Sequence, residues 1–381
     1  MAIPKFKDME RAYGFEEVAL VPGDTTINPD QTDTSLTLGK LTFSIPILAA
    51  AMDGIVDPNF AILTSKLGGL AVLNLDGIQT RYEKPDEVLA EIAQAPDAKV
   101  TSLLQKIYSE PIKENLVGER IQTIKQAGAT CAVSLIPANT KRLAPLITEA
   151  GADILVVQST VTTARHISKS YRGLIFSELC QMVPMPVIVG NCVTYNAALE
   201  LMRAGIDGIL VGIGPGAACT TREVLGVGVP QVTATMDCAA ARETYFKETG
   251  KYVAVITDGG IRTGSDLCKA FASGADAVML GSILAQAKEA PGKGYNWGMS
   301  HPHPALPRGT RVKVGTRASL EQLLFGPTSV TGGTENFVGA LRTSMGVCGA
   351  LTIKDMHKVK MVIAPTIKTE GKYFQAMQGM S

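Results

Sequence analysis

The sequence predicts an α/β protein, a single-domain (β/α)8 TIM barrel, and three observations predict it. Short runs rich in Val, Ile, Leu and Ala recur along the chain, and eight of them can be counted. The runs scarcely alternate between apolar and polar residues, which is the pattern of strands buried on both faces of a parallel sheet. Helix-like stretches separate them, five ending in a glycine just before the next run, and such alternation marks α/β architecture. Eight strands fit a closed barrel better than an open doubly wound sheet. The length of 381 residues is within what such barrels reach as one unit.

The first run, IPILAAAMD (45–53), follows an N-terminal extension, residues 1–44. KLGGLAVLNL (66–75), QAGATCAVSLIP (126–137) and EAGADILVVQST (149–160) carry the glycine lead, which suits a left-handed helix C-cap. MPVIVGNC (185–192) starts after a proline instead. MRAGIDGILVGIG (202–214) and ASGADAVMLGSIL (272–284) have the glycine, and VAVITDGG (253–260) between them lacks it. Residues 45–381 are thus assigned to the barrel and a C-terminal tail. Residues 77–125 are more polar and are expected as one or two helices beside the barrel. Residues 285–350 carry much Gly and Pro and little strand periodicity, and are expected as long functional loops. No second folded domain and no low-complexity tract is evident.

At 46% hydrophobic and 19% charged residues, the chain has ample material for a large core. The net charge of +1 argues against a nucleic-acid binder held by phosphate contacts. A phosphorylated small molecule stays open, because backbone amides bind phosphate without a basic surplus. No apolar run is long enough to span a bilayer, and MAIPKFKDMERAYGF lacks the apolar region of a signal peptide. Seven cysteines, at 131, 180, 192, 219, 238, 268 and 348, include no CxxC pair. An odd count without that spacing reads as free thiols in a reducing, cytoplasmic setting. Four histidines without ligand spacing argue against zinc.

Active sites of such barrels form at the C-terminal ends of the strands. There, VGIGPGAACTTREVLGVGVPQ (211–231) sets Cys219 on a glycine-rich loop, followed by Thr221 and Arg222. A thiol near amide donors and a cation is a candidate thiolate nucleophile. The other six cysteines read as small buried hydrophobes. In ITDGGI (256–261), an aspartate at a strand end can accept ribose hydroxyls while the glycine amides face phosphate. The alternative is a turn that merely needs Asp and Gly. MLGSILA (279–285) closes the last strand with Gly281 and Ser282, where phosphate sites recur in this fold. Together these two segments point to a phosphorylated ribose ligand.

GIGPGAACTTREVLGVGVPQ (212–231), AAMD (50–53), VGN (189–191), TDGGI (257–261) and MLGS (279–282) closely resemble the IMP dehydrogenase/GMP reductase family. The resemblance runs in order from about residue 12 to about residue 350. It implies a (β/α)8 barrel, usually a homotetramer, acting on a purine nucleoside monophosphate. It implies that Cys219 attacks C2 of the purine ring and that Thr221 beside the adduct helps proton transfer. Asp258 resembles the ribose ligand, and Gly216, Ala217, Gly260, Gly281 and Ser282 the phosphate cradle. Met52, Asn191, Gly298 and Met299 resemble further nucleotide contacts, with Met52 under the base. Gln158, Ser159, Thr160, Gly212, Ile213 and Gly214 lie where the family binds its nicotinamide cofactor, NAD. Carbonyls of Gly214, Gly216 and Cys219 match those that hold potassium in many members.

The sequence also departs from the family. Most IMP dehydrogenases insert a pair of CBS modules after the second strand, and the connection from Asp76 to Gly128 is too short for that pair. Ala50 stands where Ser is usual, Ala217 replaces a phosphate-binding Ser, Gln158 replaces an Asp, and Leu210 replaces a basic residue. The flap is compressed to WGMSHPHPALPRGTRVKVGT (297–316) without the usual Arg-Tyr pair. Arg308 falls where a Gln or Glu usually faces the purine. Arg308, with Thr221 and either His301 or His303, is the candidate for activating water. A small branch of the family lacks the CBS modules and carries a similar loop and flap, and this chain resembles it most.

Three functions follow. In an IMP dehydrogenase, IMP, NAD and water give xanthosine monophosphate and NADH. In a GMP reductase, a related adduct runs toward IMP with NADPH and releases ammonia. The short connection fits a reductase; GVGVPQ after REVL, and an arginine in place of the reductase glutamate, favour the dehydrogenase. The third is a catalytically silent nucleotide-binding relative, against which Cys219, Thr221 and Asp258 stand together.

Overall fold

Gly68, Gly128, Gly151, Gly205 and Gly274, the five glycine leads, all adopt left-handed φ values between 72° and 105°. Each ends its helix without the penalty a Cβ carries there and turns the chain into a strand. The computed structural model describes residues 9–167, 173–298 and 311–364. The barrel strands are β1 (Ile47–Ala49), β2 (Leu70–Asn74), β3 (Ala132–Leu135), β4 (Ile154–Gln158), β5 (Val187–Cys192), β6 (Gly208–Val211), β7 (Ala254–Asp258) and β8 (Ala277–Leu280). Each lies inside one of the eight expected runs. Every neighbouring pair is parallel, and β8 closes on β1 with Val278 opposite Ile47. Apart from Asp258, every strand residue is buried, which explains the missing alternation.

A second sequence pattern secures the end of the barrel where the strands begin. In AGADI, AGIDG and SGADA an aspartate follows the glycine by two residues. Asp153, before β4, accepts the Cys131 N–H at 2.8 Å. Asp207, before β6, accepts the Val187 N–H at 2.9 Å, and Asp276, before β8, the Val255 N–H at 2.8 Å. Each carboxylate thus ties its strand to the preceding one, and each pairs with a cation: Lys125, Lys251 and Arg242 respectively. Asp276 is the most enclosed. It takes Arg242 at 2.8 Å and the Tyr252 hydroxyl at 2.6 Å.

Residues 77–125 form four helices rather than one or two: Ile78–Arg81, Pro85–Gln94, Asp97–Ser109 and Glu114–Gln126. Prolines 85, 96 and 111 punctuate the stretch, because proline suits a helix start and disrupts a helix interior. Ile78, Leu89, Ile92, Leu104, Ile107 and Tyr108 build a small core of their own, which closes on Trp297. The Gly- and Pro-rich stretch also holds more regular structure than expected. It contains helices Leu320–Phe325 and Phe337–Cys348, and a ladder of Tyr295–Trp297 against Arg311–Lys313. Phe337, Val338, Leu341 and Met345 bury one face of the longer helix. The N-terminal extension pairs Val18–Leu20 with Met361–Ile363. Among the described residues, no helix is long and apolar enough to cross a membrane.

Candidate active site

The strand ends open into a cavity of about 750 Å³, within the range of small-molecule sites. Its wall includes every described residue expected at the site: Met52 after β1, Gln158 to Thr160 after β4, Asn191 on β5, the 212–221 loop after β6, Asp258 and Gly260 at β7, Gly281 and Ser282 after β8, and Gly298. Met299, Arg308, His301 and His303 lie outside the described residues.

The loop after β6 is built on bare backbone. Gly212 has φ +149°, and a methyl there would stand 2.1 Å from the Asp258 carbonyl oxygen and 2.9 Å from Gln231 Nε2. Gln231, buried at the start of helix Gln231–Thr249, donates to the Val211 carbonyl at 2.6 Å and the Asp258 carbonyl at 3.1 Å. It thereby binds the ends of β6 and β7 together. Arg222 is turned back into the loop. Its guanidinium donates to the Val229 carbonyl at 2.8 Å, and its stem fills the space a Cβ on Gly214 would need. Its observed role is to close the loop.

Cys219 is half-buried on this loop, and its thiol donates to Thr221 Oγ1 at 3.2 Å. Thr221 is itself buried and opens helix Thr221–Leu225. The Cys219 N–H donates to the Gly216 carbonyl at 3.1 Å, which curls the loop under the sulfur. Elsewhere in the chain, burial pushes Cys131 up to about 12 and Cys180 and Cys268 up to about 11. None of the other six cysteines lines the cavity.

Asp258 holds the centre. Asn191 Nδ2 donates to its Oδ2 at 2.8 Å and Gln158 Nε2 to the same oxygen at 3.1 Å. Gln158 Nε2 also donates to Asn191 Oδ1 at 2.9 Å. Oδ1 of Asp258 has no partner among the described residues and is left for a ligand. Burial pushes this carboxyl up to about 6, against the pull of the two amides. The position where the family has Asp is thus a neutral amide that binds two neighbours and adds no second charge.

Across the cavity, a methyl on Gly281 would meet Met52 Sδ at 3.6 Å, an ordinary van der Waals contact. Asn296 Nδ2 donates to Ser282 Oγ at 3.3 Å. Asn296 and Gln231 were not legible as site residues. Gln231 had one available signal, its place after a proline at a helix start. Asn296 is buried in a stretch read as loop. The N-terminal segment Gly14–Glu17 also joins the wall, held by Lys269 donating to the Phe15 carbonyl at 2.9 Å. Among the described residues, no group of three or more His, Cys, Asp or Glu is arranged to hold a metal ion.

A model of the IMP dehydrogenase/GMP reductase domain matches residues 12–300. An uncharacterized oxidoreductase of Mycolicibacterium smegmatis is 39% identical, over 93% of this chain and 96% of its own. Inosine-5'-monophosphate dehydrogenase of Methanocaldococcus jannaschii is 29% identical over 95% of each chain. That alignment runs over 485 positions against 381 residues here, so the longer enzyme has stretches without counterpart. The crystal structure of an IMP dehydrogenase/GMP reductase-like protein from Corynebacterium glutamicum is 36% identical. It matches with a TM-score of 0.90 over 96% of this chain and 97% of that one.

Proposed function

The chain belongs to the IMP dehydrogenase/GMP reductase family, and we propose that it oxidises IMP to xanthosine monophosphate with NAD. One observation carries this reading. A thiol–hydroxyl pair, a buried carboxylate with one oxygen to spare and a bare glycine turn share the wall of one cavity. Asp258 Oδ1 takes the ribose hydroxyls. Gly216, Ala217, Gly260, Gly281 and Ser282 take the phosphate, and Met52, Asn191, Gly298 and Met299 complete the nucleotide's surroundings.

The Cys219 thiolate adds to C2 of the purine, and a hydride leaves that carbon, so that a thioimidate remains. NAD, when bound, supplies the acceptor for this hydride. Ile213, the bare backbone of Gly212 and Gly214, and Gln158, Ser159 and Thr160 on the cavity wall are the residues that would hold it. These residues fit a flat ring, because the glycines bring backbone against it without a side chain between. Water then adds to C2, the C–S bond breaks, and Sγ departs as the thiolate with release of one proton. Thr221, whose hydroxyl already meets the sulfur, relays a proton at this step. Arg308 would deprotonate the water only once desolvated, because an ordinary guanidinium stays protonated. Carbonyls of Gly214, Gly216 and Cys219 would hold potassium, which would supply a positive charge that stiffens the loop; Gly216 keeps a lone pair beyond the one Cys219 uses. The assembly is a homotetramer.

GMP reductase is the second reading, favoured by the connection after β2, which has no room for CBS modules. Absorbance at 340 nm decides between them. A rise with IMP, NAD and potassium, yielding xanthosine monophosphate, is the expected result. A fall with GMP and NADPH, releasing ammonia, makes the chain a reductase. Silence in both, with nucleotide still bound, makes it a nucleotide-binding relative. Arg308→Ala is expected to slow hydrolysis of the trapped adduct while leaving hydride transfer in place; hydrolysis at the parent rate removes the arginine from the reaction.

A further inference from the structure

Ser282, Asn296, Trp297, Tyr108 and Asp53 link the cavity wall to the inserted helices, with Ser282 half-buried and the other four buried, and Trp297 joins the two halves through its own frame, backbone N–H on one side and indole on the other. At the wall, Asn296 Nδ2 donates to Ser282 Oγ at 3.3 Å. Asn296 Oδ1 accepts the Trp297 backbone N–H at 3.0 Å. The indole Nε1–H of Trp297 donates to the Tyr108 hydroxyl at 2.8 Å. That hydroxyl donates to Asp53 Oδ2 at 2.6 Å, and Asp53 Oδ1 accepts the Ile78 N–H at 3.1 Å. Asp53, Asn296 and Trp297 are each 1% exposed.

The chemistry of the path fixes its direction. An indole nitrogen only donates, and an ionised carboxylate only accepts. Tyr108 stands between them and is the one group of the three that can do both. With its hydrogen given to Asp53, its lone pair must face Trp297. Burial pushes Asp53 up to about 6, so it remains a carboxylate at neutral pH. The backbone is shaped around these bonds. A methyl on Gly77 would lie 2.1 Å from Asp53 Oδ1, and one on Gly54 would lie 2.9 Å from the Tyr295 carbonyl and 3.2 Å from the Trp297 ring. Helix Asp97–Ser109 packs its apolar face, Tyr108 included, into the same small core as Trp297.

One end of the path reaches the cavity, and the other stops at buried Asp53 behind its wall. Ser282 lies on one side of the cavity, and Asp53 directly follows Met52 on another. We propose that Tyr108 is a positioning residue for the nucleotide phosphate, setting the Ser282 hydroxyl through Trp297 and Asn296. This rests on the assignment of Ser282 to the phosphate cradle made above. Tyr108 touches no substrate; its effect is to keep Asn296 as a donor toward Ser282, so that the serine hydrogen stays directed at the ligand.

The test is a double-mutant cycle in the full chain, read by calorimetric binding of IMP and of inosine, which lacks the phosphate. Tyr108→Phe keeps the ring in its core and removes only the oxygen. It is expected to raise the Kd for IMP about fivefold, the effect of losing one buried hydrogen bond, and the Kd for inosine less than twofold. In a Ser282→Ala background the same change is expected to have no further effect on IMP, because coupled residues are non-additive. Trp297 is the chain's one tryptophan, so its emission reports on the path. IMP is expected to shift it in the parent and not in Tyr108→Phe. A purely structural role would weaken IMP and inosine alike, and that result overturns the proposal, as do additive effects of Tyr108→Phe and Ser282→Ala. If Tyr108→Phe does not fold, Trp297→Phe breaks the same bond from the indole side, and the same binding cycle applies with the same expected and overturning results. A parent chain that binds neither compound would remove the nucleotide reading and this one together, whereas a normal parent with an unselective variant removes this one alone.

Discussion

Asp258 keeps one oxygen tied to Asn191 and Gln158 and the other unpartnered among the described residues. Its carboxyl sits at about 6 because burial disfavours the charge. Ribose hydroxyls donating to it would favour the charged form, so nucleotide binding must lower this value and release a proton. IMP affinity is therefore expected to strengthen as pH rises from about 5 to about 7 and then to level off. Calorimetry near pH 6 in two buffers of different ionisation enthalpy checks this; zero proton release there removes the ribose assignment. The unliganded protein carries the opposite sign. A folded value raised above the ordinary 3.8 gives stability that is present at low pH and lost as pH rises through about 6. Asp258→Asn is accordingly expected to raise unliganded stability at pH 7.5 by about 1–3 kcal/mol while weakening nucleotide binding. Cys219, Thr221 and Asp258 were legible in the sequence because each sits in a short motif whose backbone the glycines define. Tyr108 and Gln231 were not, since each acts on residues far away in the chain, and only the closed barrel brings the partners together.

At the scale of elements, glycine does two separable jobs. Gly212 gives up its side chain so that two strand ends can meet. Gly212→Ala is expected to destabilise the fold by about 2–4 kcal/mol, because a methyl would lie 2.1 Å from the Asp258 carbonyl. Gly118, inside helix Glu114–Gln126, would meet nothing within 4 Å, so Gly118→Ala is expected to stabilise by about 0.5–1 kcal/mol. Denaturant midpoints measured side by side check both signs, and equal shifts would remove the argument from close approach. The eight strands were legible because burial on both faces leaves a continuous apolar run. The helices of residues 85–109 were not resolved one from another, because their polar faces hide the small core they share with Trp297, a residue that lies nearly two hundred positions later.

Over the whole molecule, the two ends of the barrel are held by different chemistry. The far end from the site is fastened by aspartates that cap neighbouring strands, and Asp276 with Arg242 is the most buried of these pairs, at 8% and 3% side-chain exposure. Arg242→Ala leaves Asp276 without its cation and is expected to cost about 3–5 kcal/mol with the nucleotide Kd unchanged. Thermal unfolding alongside IMP binding checks this; a loss of affinity in the folded variant would show that the two ends are coupled.

The open end is arranged otherwise. The ladder between Tyr295–Trp297 and Arg311–Lys313 fixes where the segment between those strands departs and where it returns. Arg311 stacks on Tyr295 with its guanidinium carbon 4.4 Å from the ring centre, and it also donates to the Ala93 carbonyl at 3.3 Å. Both strands of that ladder are therefore anchored on the inserted helices. A change in the length or content of the segment can be absorbed between these two posts without disturbing β1 to β8. On the reading proposed above, Cys219, Thr221 and Asp258 on the barrel and Arg308 between the two posts thus belong to separately replaceable parts, and a lineage can exchange the second while inheriting the first intact.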